Sequence, residues 1–545
     1  MTSRNIIKLS VPRCSNTYGS SPCTASGSGD EKCYQTYKTC ADKENFNLND
    51  SLDLYFIGSI AALPTDFNCI PYLESVRVSP PVLQVTGLAL QNKATVSIAD
   101  FAHSDRLDVD KYLADRTFDP MTRGTFWPRF LYRFEYELNN AKVNLYFGEV
   151  TTLAELNALT SYEYLLKSWS LDDTTVSLSL ADKLSLLEPN KAKSVVPSKG
   201  KLANNIGVGL EYITIDSTDL DEYPSSGVVR IDDEFIGYSY RAGELLTAID
   251  RGRYGSTIAE HDQGAGVQLV TNYALVTLPN FIEQILELFI DSADIDDAQI
   301  DTELASFYSA ALMTGRLSDP GENLQQVIND FCDFFRIRIF DDPVSKKIKI
   351  NALTPNSLAS VATFTDDNII KIHSTKLSSE HRITRYAVYH NVRDHSQNLD
   401  ATKGYDFITA FSDEEAGGEF MHGQHSSKIH FGRWLDSCQQ YVNTMISRTF
   451  QSFKDDVWEV SFDIFHASLG SVALGDHITL STDRLLDQSG QNLSMLMWVR
   501  SIVHDYDRGT VRILAQQQHL VSNYSTIGSS TLIKSASDPE VARIF

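Results

Sequence analysis

Along this chain, hydrophobic positions alternate with polar ones in short bursts before they recur at helical spacing. Ala94 to Ile98 sets Ala, Val and Ile on one face against Thr and Ser on the other, which predicts a half-buried strand. Val82 to Leu90 and Val176 to Leu180 also read as strands. A loop through Asp105, Asp108 and Asp110 follows the second of these runs in the chain. Arg129 to Glu137 and Val143 to Val150 predict a hairpin around Asn139-Asn140. The stretch KAKSVVPSKGK, Lys191 to Lys201, breaks the pattern with Pro, Gly and Ser and predicts a linker or exposed loop. Beyond it, Val228 to Ile231, Glu234 to Arg241 and Glu244 to Asp250 predict three strands. Two-residue turns at Asp232-Asp233 and Ala242-Gly243 fold them into a tight meander. The polar loop RGRYGSTIAEHDQGAG and a last strand, Val267 to Val270, complete the unit.

The period then lengthens. Ile282, Ile285, Leu286, Phe289 and Ile290 form a helical stripe, and Asn280 with Glu283 resembles a capping box. Asp301 is placed to cap a second helix carrying Leu304, Phe307, Tyr308, Ala311 and Leu312, with Gly315 at its end. A third helix, through Leu324, Val327, Ile328, Phe331, Cys332 and Phe335, runs into a strand at Arg336 to Phe340. Lys346 to Ile350 can pair with that strand. A helix around 432–450 precedes strands at Trp458 to Phe465, His477 to Leu480, Trp498 to His504 and Thr510 to Gln516. The resulting division is 1–50, a cysteine-rich segment; 51–201, a β-domain; 202–272, a small β-meander module; 273–400, a helical and β region; 401–520, a second β-domain; and 521–545, a C-terminal tail. The fold class is α+β, predominantly β, and multidomain.

Composition narrows the function. The 545 residues are 42 % hydrophobic and 10 % aromatic, ample for several cores. There are 71 acidic against 47 basic residues, a net charge of −24, with a pI near 4.9. That balance excludes a protein that grips nucleic acid through its phosphates, but it allows DNA to pass without adhering. Met1 to Ser10 has no apolar signal region. Leu54 to Leu63 is too short to cross a bilayer, and Tyr273 to Ile290 is broken by Pro279, Asn280, Glu283 and Glu287. The chain is expected to begin in a reducing cytoplasm.

Four of the seven cysteines fall in the first forty residues: Cys14, Cys23, Cys33 and Cys40. The segment between them is rich in Gly, Ser, Thr and Pro, and has no period with which to build a core. A metal centre on four thiolates would order it, because ligand binding becomes folding free energy. Soft sulfur selects zinc or an iron–sulfur cluster. The spacing lacks the tight Cys-x2-Cys knuckle of zinc fingers, which weighs against zinc. Two disulfides are the plain alternative. Cys332 and Cys438 sit on helical apolar stripes and read as small buried hydrophobes; Cys69 is uninformative.

The remaining chemistry is thin. The chain carries no P-loop, nucleophile elbow, dinucleotide fingerprint or His-Glu-x-x-His. Asp291, Asp294, Asp296, Asp297 and Asp301 lack the glycine and terminal glutamate of an EF-hand and read as a solvated helix junction. His422, His425 and His430 have metal-like spacing beside Gly417, Gly418 and Gly423, which favours a loop over a site. His261 reads as a loop histidine bonded to backbone. No catalytic constellation follows.

Three segments resemble tail-tip hub proteins of long-tailed, non-contractile bacteriophages. The first is the β-module, whose Arg251, Gly252, Gly255, Ser256, Thr257, Ala259, His261 and Gly264 match a recurrent phage-tail loop pattern. The second is ATVSIADFAHSDRLDVDKYLADRTFDP with FWPRF and VNLYFGEV (94–120, 126–130 and 143–150), which is similar to a first hub domain. The third is the cysteine set, similar to the iron–sulfur segment of lambda-like tail-tip proteins. There four cysteines hold a 4Fe–4S cluster, a role that carries over to Cys14, Cys23, Cys33 and Cys40. The motif opens this chain, whereas in the lambda-like protein it follows another domain.

The resemblance implies tube-like β-barrel hub domains, a homotrimer that presents pseudo-sixfold symmetry, and no enzymatic activity. It implies a place at the virion tail tip after assembly in the host cytoplasm. The implied partners are a distal tail protein ring or tail tube, a tape-measure protein, and a central tail fibre or receptor-binding protein, with DNA passing through the lumen during ejection. The alternative function is a tail-associated peptidoglycan-degrading enzyme.

Overall fold

The computed structural model describes residues 5–518, apart from 27–32, 59–63, 65, 86–87, 89–91, 105–116, 149, 189–191, 193–194, 343, 354–358, 413–426, 437 and 506–507. The loop aspartates Asp105, Asp108 and Asp110, the histidines His422 and His425, and the 521–545 tail therefore lie outside the described residues. Strand dominates, at 44 % against 18 % helix.

The alternating runs build an eight-stranded sheet: β1 (Asn5–Arg13), β2 (Asp50–Ile57), β3 (Cys69–Ile70), β4 (Leu73–Ser79), β5 (Lys93–Ala99), β6 (Lys142–Phe147), β7 (Ser161–Leu171) and β8 (Thr175–Ala181). Their order is β3-β2-β1-β6-β7-β8-β5-β4. The two edge strands, β3 and β4, are consecutive in the chain with only Pro71 and Tyr72 between them. A twisted sheet can bring its edges that close only by curling on itself, so this sheet is barrel-like. Ile7, Leu9, Phe56, Val96, Val143 and Leu178 point into one core with Phe126, Trp127, Phe130 and Phe134.

Those aromatics correct one expectation: the predicted hairpin strand at Arg129 to Glu137 is instead a helix, Phe126–Arg133, followed by turns. Phe126, Phe130 and Phe134 recur four apart and stack in sequence, while Tyr132 and Tyr136 stay exposed, which is helical amphipathicity. A second correction concerns Val82 to Leu90, whose described residues 82–85 and 88 form no strand. Its polar backbone bonds outward. The Leu83 amide donates to Arg500 O at 2.8 Å, and the Leu88 amide donates to Asn329 Oδ1 at 3.0 Å. Gln84 O and Val85 O accept from the buried Arg338 guanidinium. Leu83, Val85 and Leu88 are plugs into neighbouring cores rather than a sheet face.

The module has six strands: β9 (Lys201–Leu202), β10 (Tyr212–Asp216), β11 (Gly227–Ile231), β12 (Glu234–Ala242), β13 (Leu245–Arg253) and β14 (Gln268–Leu269). They are ordered β14-β11-β12-β13-β10-β9 around a core of its own. Strands β15 (Thr271–Thr277) and β16 (Leu312–Leu317) pair next, as do β17 (Ile337–Asp342) and β18 (Lys347–Ala352). They pack with helices Leu278–Leu286, Asp297–Tyr308, Leu324–Phe335 and Gln439–Phe453 into the largest core, which buries Cys332 and Cys438.

Two helix starts differ from expectation. Thr277 and not Asn280 is the N-cap of the first, because Pro279 fits the first turn. Asp296 and not Asp301 begins the second. Gly315 lies in β16, where any Cβ would strike the Trp434 ring at 2.0 Å, so it is a packing glycine and not a helix end.

A second curled sheet uses β19 (Ser360–Thr365), β20 (Ile369–Ser378), β24 (Val457–Phe465), β25 (His477–Leu486), β26 (Asn492–Asp505) and β27 (Thr510–Gln517), ordered β19-β25-β26-β27-β24-β20. Its edges, β19 and β20, are again consecutive, with three residues between them. The sheet thus takes its first strands from residues ahead of 401. Between them sits a three-stranded sheet, β22-β21-β23, of β21 (Arg385–Val392), β22 (Tyr405–Ser412) and β23 (Ser427–Gly432). Arg500 Nε on β26 returns a bond to Leu83 O at 3.0 Å, fastening the two curled sheets together. Among the described residues, no helix is long and apolar enough to cross a membrane.

Candidate metal centre

The cysteine segment is not a free N-terminal piece. Strands β1 and β2 pair with each other from Ile6↔Ile57 to Arg13↔Asp50, so residues 14–49 form a lobe closed at its root by the first sheet. All four sequence-predicted ligands line one cavity in that lobe. Cys14, Cys23, Cys33 and Cys40 share this cavity of about 10 Å³ with Asn16, Tyr18, Ala25, Gln35, Thr36, Ala41, Asp42, Asn45 and Phe46. All four are free thiols.

Local bonds aim the sulfurs. Gln35, held at a left-handed φ of 61°, spans the lobe: its carbonyl accepts from the Cys14 amide at 2.9 Å, and its side-chain Nε2 donates to Cys14 O at 2.7 Å. Its own amide donates to Cys33 Sγ at 3.3 Å, the kind of contact that stabilises a thiolate. Asp42 Oδ2 accepts from the Thr24 amide at 2.7 Å, tying the second cysteine's loop to the fourth's. That bond, and one from the Asn45 side-chain amide at 3.1 Å, hold the Asp42 carboxyl below its usual range.

The lobe is clamped to the helix side of the first sheet. Tyr37 N donates to Glu137 at 2.5 Å, Lys38 pairs with Glu135, and the Arg133 guanidinium lies 4.0 Å from the Tyr34 ring centre. Burial pushes the Cys33 and Cys40 thiols up, and the neighbouring cysteines push them the same way. No Lys, Arg or His is among the lining residues. As thiolates the four sulfurs need a cationic centre.

Among the described residues, no three or more His, Cys, Asp or Glu side chains are grouped to hold a metal ion. A lone zinc draws its sulfurs to about 2.3 Å from one point. Four thiols around one cavity are a soft donor set of the kind that takes zinc or an iron–sulfur cluster.

The other sequence candidates resolve differently. His261 bonds Ile206 through its backbone, as expected. Its ring also meets Asp232 Oδ2 at 2.7 Å and Glu234 Oε2 at 3.0 Å. Glu234 was missed from sequence: a glutamate opening a strand reads as surface. Here it is buried and gathers Arg251 Nε at 2.6 Å, the Gly252 amide at 3.0 Å and the Ala259 amide at 3.0 Å. Burial opposes its charge, but Arg251 and the converging donors win and hold it down at about 2.

His430 lies half-buried on β23, its ring stacked on Phe334. Burial, then Lys428 and Arg433, pushes it down to about 3. Asp291 and Asp296 begin helical turns, and Asp294 pairs with Lys183. A second, larger cavity of about 810 Å³ opens between the two curled sheets. Val78, Tyr162, Phe340, Val472 and Ile502 are among its lining residues.

No family model matches the chain, and no curated protein does. Solved structures similar to it include a tail protein from Neisseria meningitidis MC58 (10 % identity, 82 % of this chain and 96 % of that one, TM-score 0.35). Another is the prophage MuSo2 43 kDa tail protein from Shewanella oneidensis (10 % identity, 82 % and 98 %, TM-score 0.35). A third is the prophage tail protein gp18 from Listeria monocytogenes EGD-e (9 % identity, 87 % and 92 %, TM-score 0.33). Scores at this level do not establish a shared fold.

Proposed function

We propose that this chain is a structural hub of a bacteriophage tail tip, working as a homotrimer and not as an enzyme. The observation that carries this reading is the pair of curled sheets in one chain, each with its edge strands consecutive in sequence and the two stapled through Leu83 and Arg500. Three copies would then offer six barrels to a sixfold tail tube or distal tail ring, and heterologous contacts close such a ring. Tape-measure protein above and a central fibre or receptor-binding protein below are its further partners. The net charge of −24 suits a lumen through which DNA slides without adhering.

Cys14, Cys23, Cys33 and Cys40 would hold a 4Fe–4S cluster. When bound, the cluster supplies inorganic cross-links to a lobe that lacks an apolar core. Gln35 orients the first and third ligands, and Asp42 joins the loops of the second and fourth.

Two experiments test the proposal. Antibody against this chain should label one end of purified tails in electron micrographs; label along the whole tail, or none on particles, overturns the hub. Anaerobically purified protein should show a broad visible absorption that dithionite bleaches. A colourless protein carrying zinc, or neither metal, overturns the cluster and leaves the hub standing.

A further inference from the structure

The joint between the first curled sheet and the central region contains two buried carboxylates. Asp182 follows β8, where the chain leaves the sheet, and is 3 % exposed; Asp341 lies on β17 and is 2 % exposed. Each spends one oxygen on the joint. Asp182 Oδ2 accepts from the Asn92 amide at 2.6 Å, and Asp341 Oδ2 accepts from the Lys183 amide at 2.8 Å. Each leaves Oδ1 buried without a hydrogen-bond partner. Orphaned carboxylate oxygens are costly unless a proton satisfies them.

Of the neighbouring charges, Lys183 favours the Asp341 carboxylate, while Glu163 and Asp342 oppose it. Lys183 is the buried cation here, but its ammonium is taken by Asp294 at 2.7 Å, Glu163 at 3.3 Å and Lys346 O. Lys349 is taken by Asp342 at 2.8 Å, and Lys142 lies 3.6 Å from Glu163. Lys347 donates to Ile295 O. Tyr164 on β7 donates to Asn92 Oδ1 at 3.1 Å.

We propose that Asp182 and Asp341 hold a proton between them, and that this proton latches the first sheet to the central region. The joint then tightens in acid and loosens in mild alkali. Two like charges in a dry site cannot both ionise cheaply, so one proton is retained. Burial, then Asp341, pushes Asp182 up to about 8; burial pushes Asp341 up to about 6. Both values lie above an ordinary carboxylate, so the closed joint binds protons that the open joint releases. Its stability is complete below the ordinary carboxylate range and falls as pH rises towards the upper value.

Hydrogen exchange on the full chain, corrected for intrinsic rate, tests the latch. Between pH about 6 and about 8, protection of residues 182–187 and 337–342 should fall about a hundredfold, tenfold per unit, while β26 and β27 hold. Asp182→Asn and Asp341→Asn each supply a permanent N–H donor and should flatten that loss. Infrared difference spectra of aspartate-labelled wild type should show a protonated carboxyl at neutral pH that vanishes above pH about 9. This second readout needs no variant to fold. Protection that is flat in the wild type, a loss retained in both variants, or no protonated carboxyl overturns the proposal.

Discussion

The cysteine lobe and the β-module are both small appendages, but they close in opposite ways. The module buries Ile213, Val229, Ile231, Ile236, Leu246 and Val267 in a core of its own, and its one buried carboxylate, Glu234, is saturated by Arg251, His261 and two amides. Among its described residues, the lobe buries only Cys14 and Ala25 as apolar side chains. Its centre is a cavity walled by four thiols, and its rigidity comes from polar ties at its root and flank. A short segment can therefore be held by alternation and a satisfied ion pair, or by polar ties to a neighbouring sheet around a thiol-lined cavity.

The sharpest break in this comparison is chemical. Serine at all four of Cys14, Cys23, Cys33 and Cys40 should abolish visible absorption and raise hydrogen exchange across 14–49 to that of an open chain, with the module's protection unchanged. Full protection of the lobe in that variant would remove the need for an inorganic core. Next in size, Glu234→Ala leaves Arg251 buried without its carboxylate and should cost about 3–5 kcal/mol in module stability by denaturant unfolding. A cost under about 1 kcal/mol would show that the apolar core suffices alone.

Gly255→Ala probes docking instead of closure. Gly255 sits at φ +81°, and a Cβ there would meet Arg393 O at 2.1 Å. Beside it, Tyr254 O accepts from the His395 amide at 3.1 Å and its ring lies 3.4 Å from the Arg316 guanidinium. The substitution should cost about 1–3 kcal/mol. It should raise exchange at 393–396 while strands β11–β13 stay protected. The smallest effect is acid. Glu234 titrates near 2 when folded, below an ordinary glutamate, so its stabilising charge is present at neutral pH. Module melting should be level down to pH about 5 and then fall towards pH about 2, the reverse of the trend at Asp182 and Asp341.

Much of this was legible in the chain. Strands β5, β8, β11–β13, β17, β18 and β24–β27 follow from alternation, and the helices at 324–335 and 439–453 from their stripes. The four cysteines could be grouped from spacing and from the absence of any other core, and they do share one cavity. The failures have common causes. The Phe126–Arg133 helix was hidden because aromatic residues favour strands, and only the four-residue recurrence of Phe126, Phe130 and Phe134 betrays it. Val82 to Leu90 alternates like a strand, yet Arg338 and Arg500 from distant elements take its backbone bonds. Glu234, Asp182 and Asp341 resemble surface acids, because burial of a charged residue is set by what folds over it.

Local pattern was thus enough for what neighbours in sequence control: strand or helix, turn or linker, and a cysteine segment unable to collapse by itself. What lies far apart in the chain needed the folded molecule. That includes the pairing of β1 with β6 and of β19 with β25, the seat of the lobe against Glu135 and Glu137, and the bond from the Lys183 amide to Asp341 across 158 residues. Periodicity records which face of an element is apolar, but partner choice depends on long-range packing and on which buried polar groups find one another.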